Sequence, residues 1–292
     1  MTITVIPVTH EETLSRGLAQ HLKAEYCPVE IHHFPDGETR VRVTPDKINR
    51  EIVIVASLHQ PDSITLPLLF ISETLREYGA KDILLVAPYL PYMRQDKRFH
   101  EGEGISARYY ARLISDYFDE LITVDPHLHR IRSLEDIYSI PVKVVHAAPS
   151  VAEWIENNIE QPLLIGPDSE SKQWVEDIAG RANAPFVILE KIRYSDKDVK
   201  ISVPQVNRWV QHTPVLVDDI ISSGRTMIET AVHLQQAGLK APVCIGVHGI
   251  FAGDACQELN AAGISRIVTS NTIPHNSNFI DLTQAIINAI KG

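Results

Sequence analysis

Apolar runs and amphipathic segments alternate along the 292-residue chain, and this alternation predicts repeated pairs of β-strand and α-helix. The runs ITVIPV at 3–8, EIVIVAS at 51–57 and DILLVAPY at 82–89 have the length and composition of buried parallel strands. Amphipathic helices are predicted at 62–78 and 105–118. The first half of the chain is therefore expected to form an α/β domain.

The same pattern begins again in the second half of the chain. Apolar strand candidates recur there, for example at 163–168 and 215–219, and helical segments separate them. We therefore predict an α/β fold of two consecutive doubly wound domains, each a mainly parallel sheet flanked by helices. The predicted domains cover residues 1–145 and 146–292, and the last helix is a candidate to pack back on the N-terminal domain.

The stretch PVLVDDIISSGRTM at 214–227 combines an apolar run, two carboxylates, a Ser/Gly loop and an amphipathic segment. It predicts a strand that ends in Asp218 and Asp219, followed by a turn and a helix. Thr226 and Glu229 lie three residues apart and can cap that helix. The Ser/Gly loop is therefore expected to lie at a helix N-terminus.

A loop in that position is a candidate binding site for a phosphate group. Free backbone N–H groups, the helix dipole and the hydroxyls of Ser222, Ser223 and Thr226 would all favour a dianion. Asp218 and Asp219 would repel the phosphate, but they suit the vicinal hydroxyls of a sugar phosphate or a divalent cation. The alternative interpretation is an ordinary βα turn with two acids at the strand end by chance.

Composition limits the classes of partner. The net charge of -10 argues against binding to nucleic acid or to an anionic membrane, because both require a basic surface. The three cysteines, Cys27, Cys244 and Cys256, form neither a CxxC pair nor a zinc-binding spacing, which is typical of a reduced compartment. With no membrane-length apolar segment and no signal-like N-terminus, the protein is expected to be cytoplasmic.

Several short motifs occur together and in a defined order. They are FPDGE at 34–38, RQDK at 94–97, DPH at 125–127, KIR at 191–193 and VDDIISSGRT at 217–226. In this order they resemble the motifs of ribose-phosphate diphosphokinases, also called phosphoribosyl-diphosphate synthetases, and most closely the archaeal-type members. Type I phosphoribosyltransferases share the last motif. The resemblance implies that both domains have a phosphoribosyltransferase-like fold.

The resemblance also implies an activity. It is the Mg²⁺-dependent transfer of the diphosphoryl group of ATP to O1 of ribose 5-phosphate, which gives 5-phospho-ribose 1-diphosphate and AMP for nucleotide biosynthesis. Members of the family associate, so a homodimer or a higher homo-oligomer is expected, with the FPDGE loop reaching the ATP site of a neighbouring subunit. No GxxxxGK[ST] motif occurs in the sequence, so ATP is not expected to bind a Walker-type loop.

Residue roles follow from the same resemblance. The ATP-binding residues that it implies are Phe34, Asp36, Gly37, Glu38, Arg94, Gln95 and Asp96. The ribose 5-phosphate-binding residues that it implies are Asp218, Asp219, Ser222, Ser223, Gly224, Arg225 and Thr226. An adenine would suit the space between the Phe34 ring and the Arg94 guanidinium. His127 and Asp168 match the family's magnesium positions. Lys191 and Arg193 match a catalytic pair on a mobile loop that stabilises the transferred group.

Two departures from the family pattern leave alternatives open. The sequence DSES at 168–171 places Glu170 where the family has small residues, near a bound polyanion. Arg225 stands where glycine is common, so its side chain either strengthens the phosphate grip or crowds a backbone that needs positive φ. The alternatives are a non-catalytic regulatory paralogue that binds nucleotide and associates with an active synthetase, and a phosphoribosyltransferase.

Overall fold

The computed structural model describes residues 2–8, 12–167, 171–193, 199–202 and 208–292, and within these it describes the backbone alone for 190–193 and 199–202. The chain forms two compact units. The first contains Met1–His146, Thr272–Pro274 and Thr283–Gly292, and the second contains Ala147–Asn271 and His275–Leu282. The second unit is therefore interrupted by a short segment of the first, and the chain ends in the first unit.

The N-terminal half contains eight strands and three α-helices in its described residues. In chain order they are β1 (Ile3–Pro7), α1 (Glu12–Leu22), β2 (Glu25–Tyr26), β3 (Glu30–His33), β4 (Thr39–Arg42), β5 (Glu51–Val55), α2 (Pro61–Glu77), β6 (Asp82–Ala87), α3 (Ser106–Tyr117), β7 (Glu120–Val124) and β8 (Val142–Val145). Six of the strands form a parallel sheet in the order β2-β1-β5-β6-β7-β8.

The C-terminal half continues the alternation. Its described elements are α4 (Ala148–Asn158), β9 (Pro162–Gly166), α5 (Lys172–Arg181), β10 (Phe186–Ile188), β11 (Glu190–Arg193), β12 (Val199–Ser202), β13 (Thr213–Ile221), α6 (Arg225–Gln236), β14 (Val243–Gly249), α7 (Ala255–Ala261), β15 (Arg266–Ser270), β16 (Asn278–Ile280) and α8 (Thr283–Lys291). The second parallel sheet has the order β10-β9-β13-β14-β15-β16.

The two sheets share one topology. In each, the second strand in the chain lies outside the first, and the remaining four strands follow on the other side of the first. An antiparallel hairpin, β3–β4 in one unit and β11–β12 in the other, follows the second strand in each case. The strand order reverses between β1 and β5 and between β9 and β13, and ligands of open α/β sheets bind at the carboxyl ends beside such a reversal. The predicted α/β class with two doubly wound domains is confirmed.

Helix α2 shows how the sequence pattern produces the core. Its buried residues Ile64, Leu68, Ile71 and Leu75 recur at intervals of three and four, so they form one face of the helix. Each such buried side chain contributes roughly 2 kcal/mol to stability through the hydrophobic effect. The helix stops just before Gly79, whose φ of 100° is readily adopted by glycine. None of the helices in the described part of the chain has the length and apolar character of a membrane span.

The last helix, α8, packs within the first unit. Its residues Ile286 and Ile287 are buried, and the Lys143 ammonium of β8 donates a hydrogen bond of 3.0 Å to the carbonyl oxygen of Ala289. Helix α8 also lies against α1, where a Cβ built on Gly17 would be 3.0 Å from Cγ2 of Thr283. The absence of a side chain at residue 17 thus allows the first and last helices of the chain to approach closely.

Candidate active site

The two acids of the VDD motif lie within strand β13, near its carboxyl end. The strand continues to Ile221, which pairs with Gly249 of β14, so the prediction that it ends at Asp219 is wrong. The backbone N–H of Asp219 donates a hydrogen bond of 3.0 Å to Oδ1 of Asp218. Both acids are half-buried and sit at the strand reversal beside β9, where the topology predicts ligand binding.

Gly224 links this strand to helix α6. It has a φ of 69° and occupies the N-cap position, and its carbonyl oxygen accepts the hydrogen bond from the N–H of Ile228. No side chain in the described chain caps this helix end, so the predicted capping by Thr226 is wrong; Thr226 lies one residue inside the helix. Because the positive φ belongs to Gly224, Arg225 has helical backbone and its exposed side chain does not strain the turn.

The segment 250–252 is hydrogen-bonded through its backbone to the end of β13 and to Ser222. The N–H groups of Ile250 and Phe251 donate to the carbonyl oxygen of Ile221 at 2.9 and 3.1 Å, and the N–H of Ala252 donates to that of Ser222 at 3.1 Å. These bonds use carbonyl oxygens as acceptors, so they do not engage the backbone N–H groups at the start of α6. The loop at 222–226 therefore has the features of an anion site at a helix N-terminus.

Phe251 lies next to the loop at 222–226, and the motif comparison did not assign it a role. Its φ is 48°, which is uncommon for a non-glycine residue, and its ring packs against the imidazole of His275. A Cβ on Gly249 would lie 2.6 Å from the Phe251 ring, so this glycine makes room for the aromatic side chain. The sequence signal was the pair of glycines around IFA in VHGIFAGDA, but His275 lies too far along the chain to be associated with it.

The FPDGE motif forms the tip of the β3–β4 hairpin. The N–H of Phe34 donates to the carbonyl oxygen of Glu38 at 2.8 Å, and the N–H of Gly37, at a φ of 93°, donates to that of Phe34 at 3.0 Å. Oδ1 of Asp36 accepts from the N–H of Glu38 at 3.2 Å. The Phe34 side chain is exposed, as are its neighbours at the tip, which suits contact with a ligand or another subunit.

The RQD motif lies in the long loop after β6, and its three side chains differ in role. Arg94 is exposed. Gln95 donates through Nε2 to Oε2 of Glu103 at 3.2 Å and so helps to close the loop. The Asp96 carboxylate is 2% exposed and accepts hydrogen bonds of 3.1 Å from the backbone N–H and the guanidinium of Arg130. The structure thus gives Gln95 and Asp96 contacts that organise the loop, while Arg94 projects from it.

Comparison with known proteins shows which family the chain belongs to. The family model for the N-terminal domain of ribose phosphate pyrophosphokinase matches residues 3–117, and that for the phosphoribosyl transferase domain matches residues 133–284. The ribose-phosphate pyrophosphokinase of Methanopyrus kandleri is 33% identical over 290 residues, which cover 98% of each chain. That of Sulfurisphaera tokodaii is 32% identical over 293 residues, which cover 98% of this chain and 99% of the relative. The chain belongs to the ribose-phosphate pyrophosphokinase family.

Ribose-phosphate pyrophosphokinases are enzymes, and the assignment made from the motifs, including the likeness to archaeal members, is confirmed. A crystal structure of phosphoribosylpyrophosphate synthetase from Mycobacterium smegmatis matches with a TM-score of 0.85 and 24% identity. The match covers 100% of this chain and 98% of that one. It confirms the fold of two phosphoribosyltransferase-like domains.

The position that resemblance assigns to magnesium contains two histidines after strand β7. Nε2 of His127 and Nε2 of His129 lie 2.5 Å apart, and the rings form a T-shaped pair. Just before them, Asp125 has a φ of 30° and its carboxylate bonds Nδ1 of His146 at 2.9 Å. Within the described residues, no group of three or more His, Cys, Asp or Glu side chains forms a metal cluster. The two imidazole nitrogens can supply part of the coordination of a divalent cation, which needs further ligands such as water.

The remaining predicted residues belong to segments that the structure describes in part. Asp168 lies outside the described residues. Lys191 and Arg193 lie on strand β11, in register with Ile201 and Val199 of β12. The backbone of the KIR motif is therefore extended and forms part of an antiparallel hairpin, and the roles of its side chains stay predictions.

Proposed function

We propose that this enzyme transfers the diphosphoryl group of ATP to ribose 5-phosphate, with Mg²⁺ as cofactor, and so supplies 5-phospho-ribose 1-diphosphate for nucleotide biosynthesis. The observation that carries the proposal is the loop at 222–226, which joins a strand bearing Asp218 and Asp219 to the N-terminus of α6. A phosphate site beside two hydrogen-bond-accepting carboxylates suits a phosphorylated sugar. Membership of the ribose-phosphate pyrophosphokinase family supports ribose 5-phosphate as that sugar.

In this proposal the N-terminus of α6 binds the 5-phosphate. Its backbone N–H groups, the hydroxyls of Ser222, Ser223 and Thr226 and the exposed guanidinium of Arg225 provide donors, and the helix dipole favours the dianion. Gly224 supplies the turn. Asp218 and Asp219 accept hydrogen bonds from the ribose hydroxyls and thereby orient the sugar.

The ATP-side residues belong to the first unit. Arg94 in the long loop and Phe34 at the hairpin tip of a neighbouring subunit are proposed to stack on adenine. Asp36, Gly37 and Glu38 of the same tip would complete the contact within a homodimer or larger homo-oligomer. The other two residues of the RQD motif, Gln95 and Asp96, hold the loop that presents Arg94. All three described cysteines are free thiols, in keeping with a proposed cytoplasmic location.

The reaction needs positioning and charge stabilisation more than covalent help from the protein. The anomeric hydroxyl oxygen of the sugar bonds to the β-phosphorus of ATP, the bond from that phosphorus to the oxygen bridging to the α-phosphate breaks, and AMP leaves with that oxygen. The hydroxyl proton passes to water. Lys191 and Arg193 are proposed to stabilise the transferred group. His127 and Asp168 would hold Mg²⁺, which neutralises charge on the ATP phosphates when bound.

One assay tests the proposal against its alternatives: AMP formation from ATP and Mg²⁺, with and without ribose 5-phosphate. We expect AMP formation that depends on the sugar and that Asp219→Asn strongly reduces. ATP binding without turnover would contradict the proposal and favour a regulatory paralogue. Consumption of 5-phospho-ribose 1-diphosphate with a nucleobase would instead favour a phosphoribosyltransferase.

A further inference from the structure

His127 and His129 point to the same place because of the residue between them. Leu128 packs against the hydrophobic core of the first unit, so its two neighbours in this non-helical segment turn the other way. Their ring centroids are 4.0 Å apart with planes at 80°, and their Nε2 atoms are 2.5 Å apart. Two imidazole nitrogens thus converge at the site proposed for the cation.

Only one of these two nitrogens can carry a hydrogen at such a distance, so at least one presents a lone pair to the other. When both rings carry their hydrogen on Nδ1, both Nε2 atoms present lone pairs and one cation can bind the two. Metal–imidazole bonds are about 2.0–2.1 Å long, so two nitrogens on adjacent positions of one ion lie about 3 Å apart. The rings need to separate by roughly half an ångström to bind the same ion.

We propose that His127 and His129 together form a two-nitrogen ligand set for the divalent cation, so that the site binds a transition-metal ion such as Ni²⁺ or Zn²⁺ more tightly than Mg²⁺. Mg²⁺ prefers oxygen ligands and keeps its waters, whereas imidazole suits Ni²⁺ and Zn²⁺. His129 is then the residue that sets the metal preference. The inference concerns the cation site of the proposed function and therefore rests on it.

The first test measures metal binding directly, on tag-free full-length protein. Titration calorimetry with Ni²⁺ alone and with Mg²⁺ alone compares the wild type with His129→Ala, and His21→Ala, an exposed histidine on α1, serves as the matched control. We expect His129→Ala to weaken Ni²⁺ binding at least about tenfold while changing Mg²⁺ binding less than about twofold. His21→Ala should leave both unchanged. Equal Ni²⁺ affinity in wild type and His129→Ala would overturn the proposal.

The second test identifies the ligands by NMR of ¹⁵N-histidine-labelled protein titrated with Zn²⁺. Both Nε2 resonances, assigned with His127→Ala and His129→Ala, should shift together. A hydrogen bond between the rings without a shared cation predicts that at most the His127 resonance shifts, and that result would refute the inference. Because neither test uses turnover, loss of sugar-dependent AMP formation would contradict the proposed function separately.

Discussion

The Phe251 ring lies 4.4 Å from the His275 ring, measured between centroids, with the two planes tilted by 37°. His275 is itself fixed, because its Nδ1 lies 2.7 Å from Oγ of Ser277 and accepts the Ser277 N–H at 3.2 Å. Burial lowers the pKa of His275, which favours the neutral ring. Since the Phe251 N–H donates to the carbonyl oxygen of Ile221, the ring contact connects a fixed imidazole to the end of β13, next to the loop at 222–226.

Removing the Phe251 ring should therefore disturb the proposed ribose 5-phosphate site and leave the proposed ATP site intact. We expect Phe251→Ala to raise the KM for ribose 5-phosphate about tenfold, which corresponds to about 1.4 kcal/mol, with little change in the KM for ATP. Phe251→Tyr keeps the ring and should behave like the wild type. Steady-state kinetics with each substrate varied in turn measures both constants. An equal rise in the two KM values would argue against a local role.

The turn at Gly224 should be less tolerant of a side chain than an ordinary helix end. An added Cβ at this position would meet Cγ of Leu259 at 3.0 Å, in addition to the cost of the positive φ. Gly224→Ala should lower the free energy of unfolding by about 2–4 kcal/mol. The control Gly238→Ala, at a φ of 81° with open space around it, should lose about 1–2 kcal/mol. Urea unfolding of both variants gives these values, and equal losses would remove the role of Leu259.

Asp96 should stabilise the long loop after β6 even when no nucleotide is bound. Its carboxylate is buried and bonded to Arg130, so a double-mutant cycle of Asp96→Asn and Arg130→Met should show a coupling of about 1–3 kcal/mol. Urea unfolding without ATP supplies the four free energies. A coupling near zero, combined with a loss of ATP affinity in Asp96→Asn, would show that Asp96 is a direct ligand.

Tyr92 should make stability depend on pH in alkaline solution. Burial, the hydrogen bond to the Asp62 carboxylate and the charge of that group raise the pKa of Tyr92 to about 12. An unfolded tyrosine titrates near pH 10, so the folded state holds the proton more tightly. The stability that the raised pKa of Tyr92 contributes is fully present below about pH 10 and is lost as the pH rises toward about 12.

Tyr92→Phe, which has no phenol proton, should reduce the loss of stability over that range. Burial also raises the pKa values of Tyr110 and Tyr138, so part of the dependence should remain. Chemical unfolding at several pH values between about 9 and 11 measures the slope. An unchanged slope in Tyr92→Phe would show that the phenol does not contribute.

Lys191 provides a test of the catalytic pair. We expect Lys191→Ala to lower kcat by about 10²–10³-fold while leaving ATP affinity nearly intact, because the charge is needed mainly in the transition state. Lys191→Arg keeps the charge and should retain more activity than Lys191→Ala. Rapid-quench turnover and equilibrium ATP binding separate the two effects. Weak ATP binding with normal kcat at saturation would contradict this role.

The sequence predicted well those elements whose pattern of apolar and polar residues lies within one short segment. Buried parallel strands such as β5 and β6 are continuous apolar runs. For α2, both the apolar face and the glycine that follows the helix, Gly79, can be recognised in the sequence. The two-residue strand β2 leaves no such signal, because its pairing with β1 depends on where the chain returns. The end of β13 was missed for the same reason, since its last residues pair with β14.

The features of the candidate site were likewise predictable only where the signal lies within one short segment. The composition of the loop at 222–226 indicated phosphate binding. The contact between Gly224, the residue with positive φ, and the Leu259 side chain could not be predicted from sequence. Asp96 could not be assigned a partner, because Arg130 lies 34 residues away in sequence. Convergence of His127 and His129 follows from the packing of Leu128, which composition and spacing do not reveal.

Helix α8 has a consequence for biosynthesis. Because α8 follows the second unit in sequence but packs within the first, the first unit cannot complete its packing until the second has been synthesised. Premature termination before residue 283 would consequently destabilise the unit that is synthesised first.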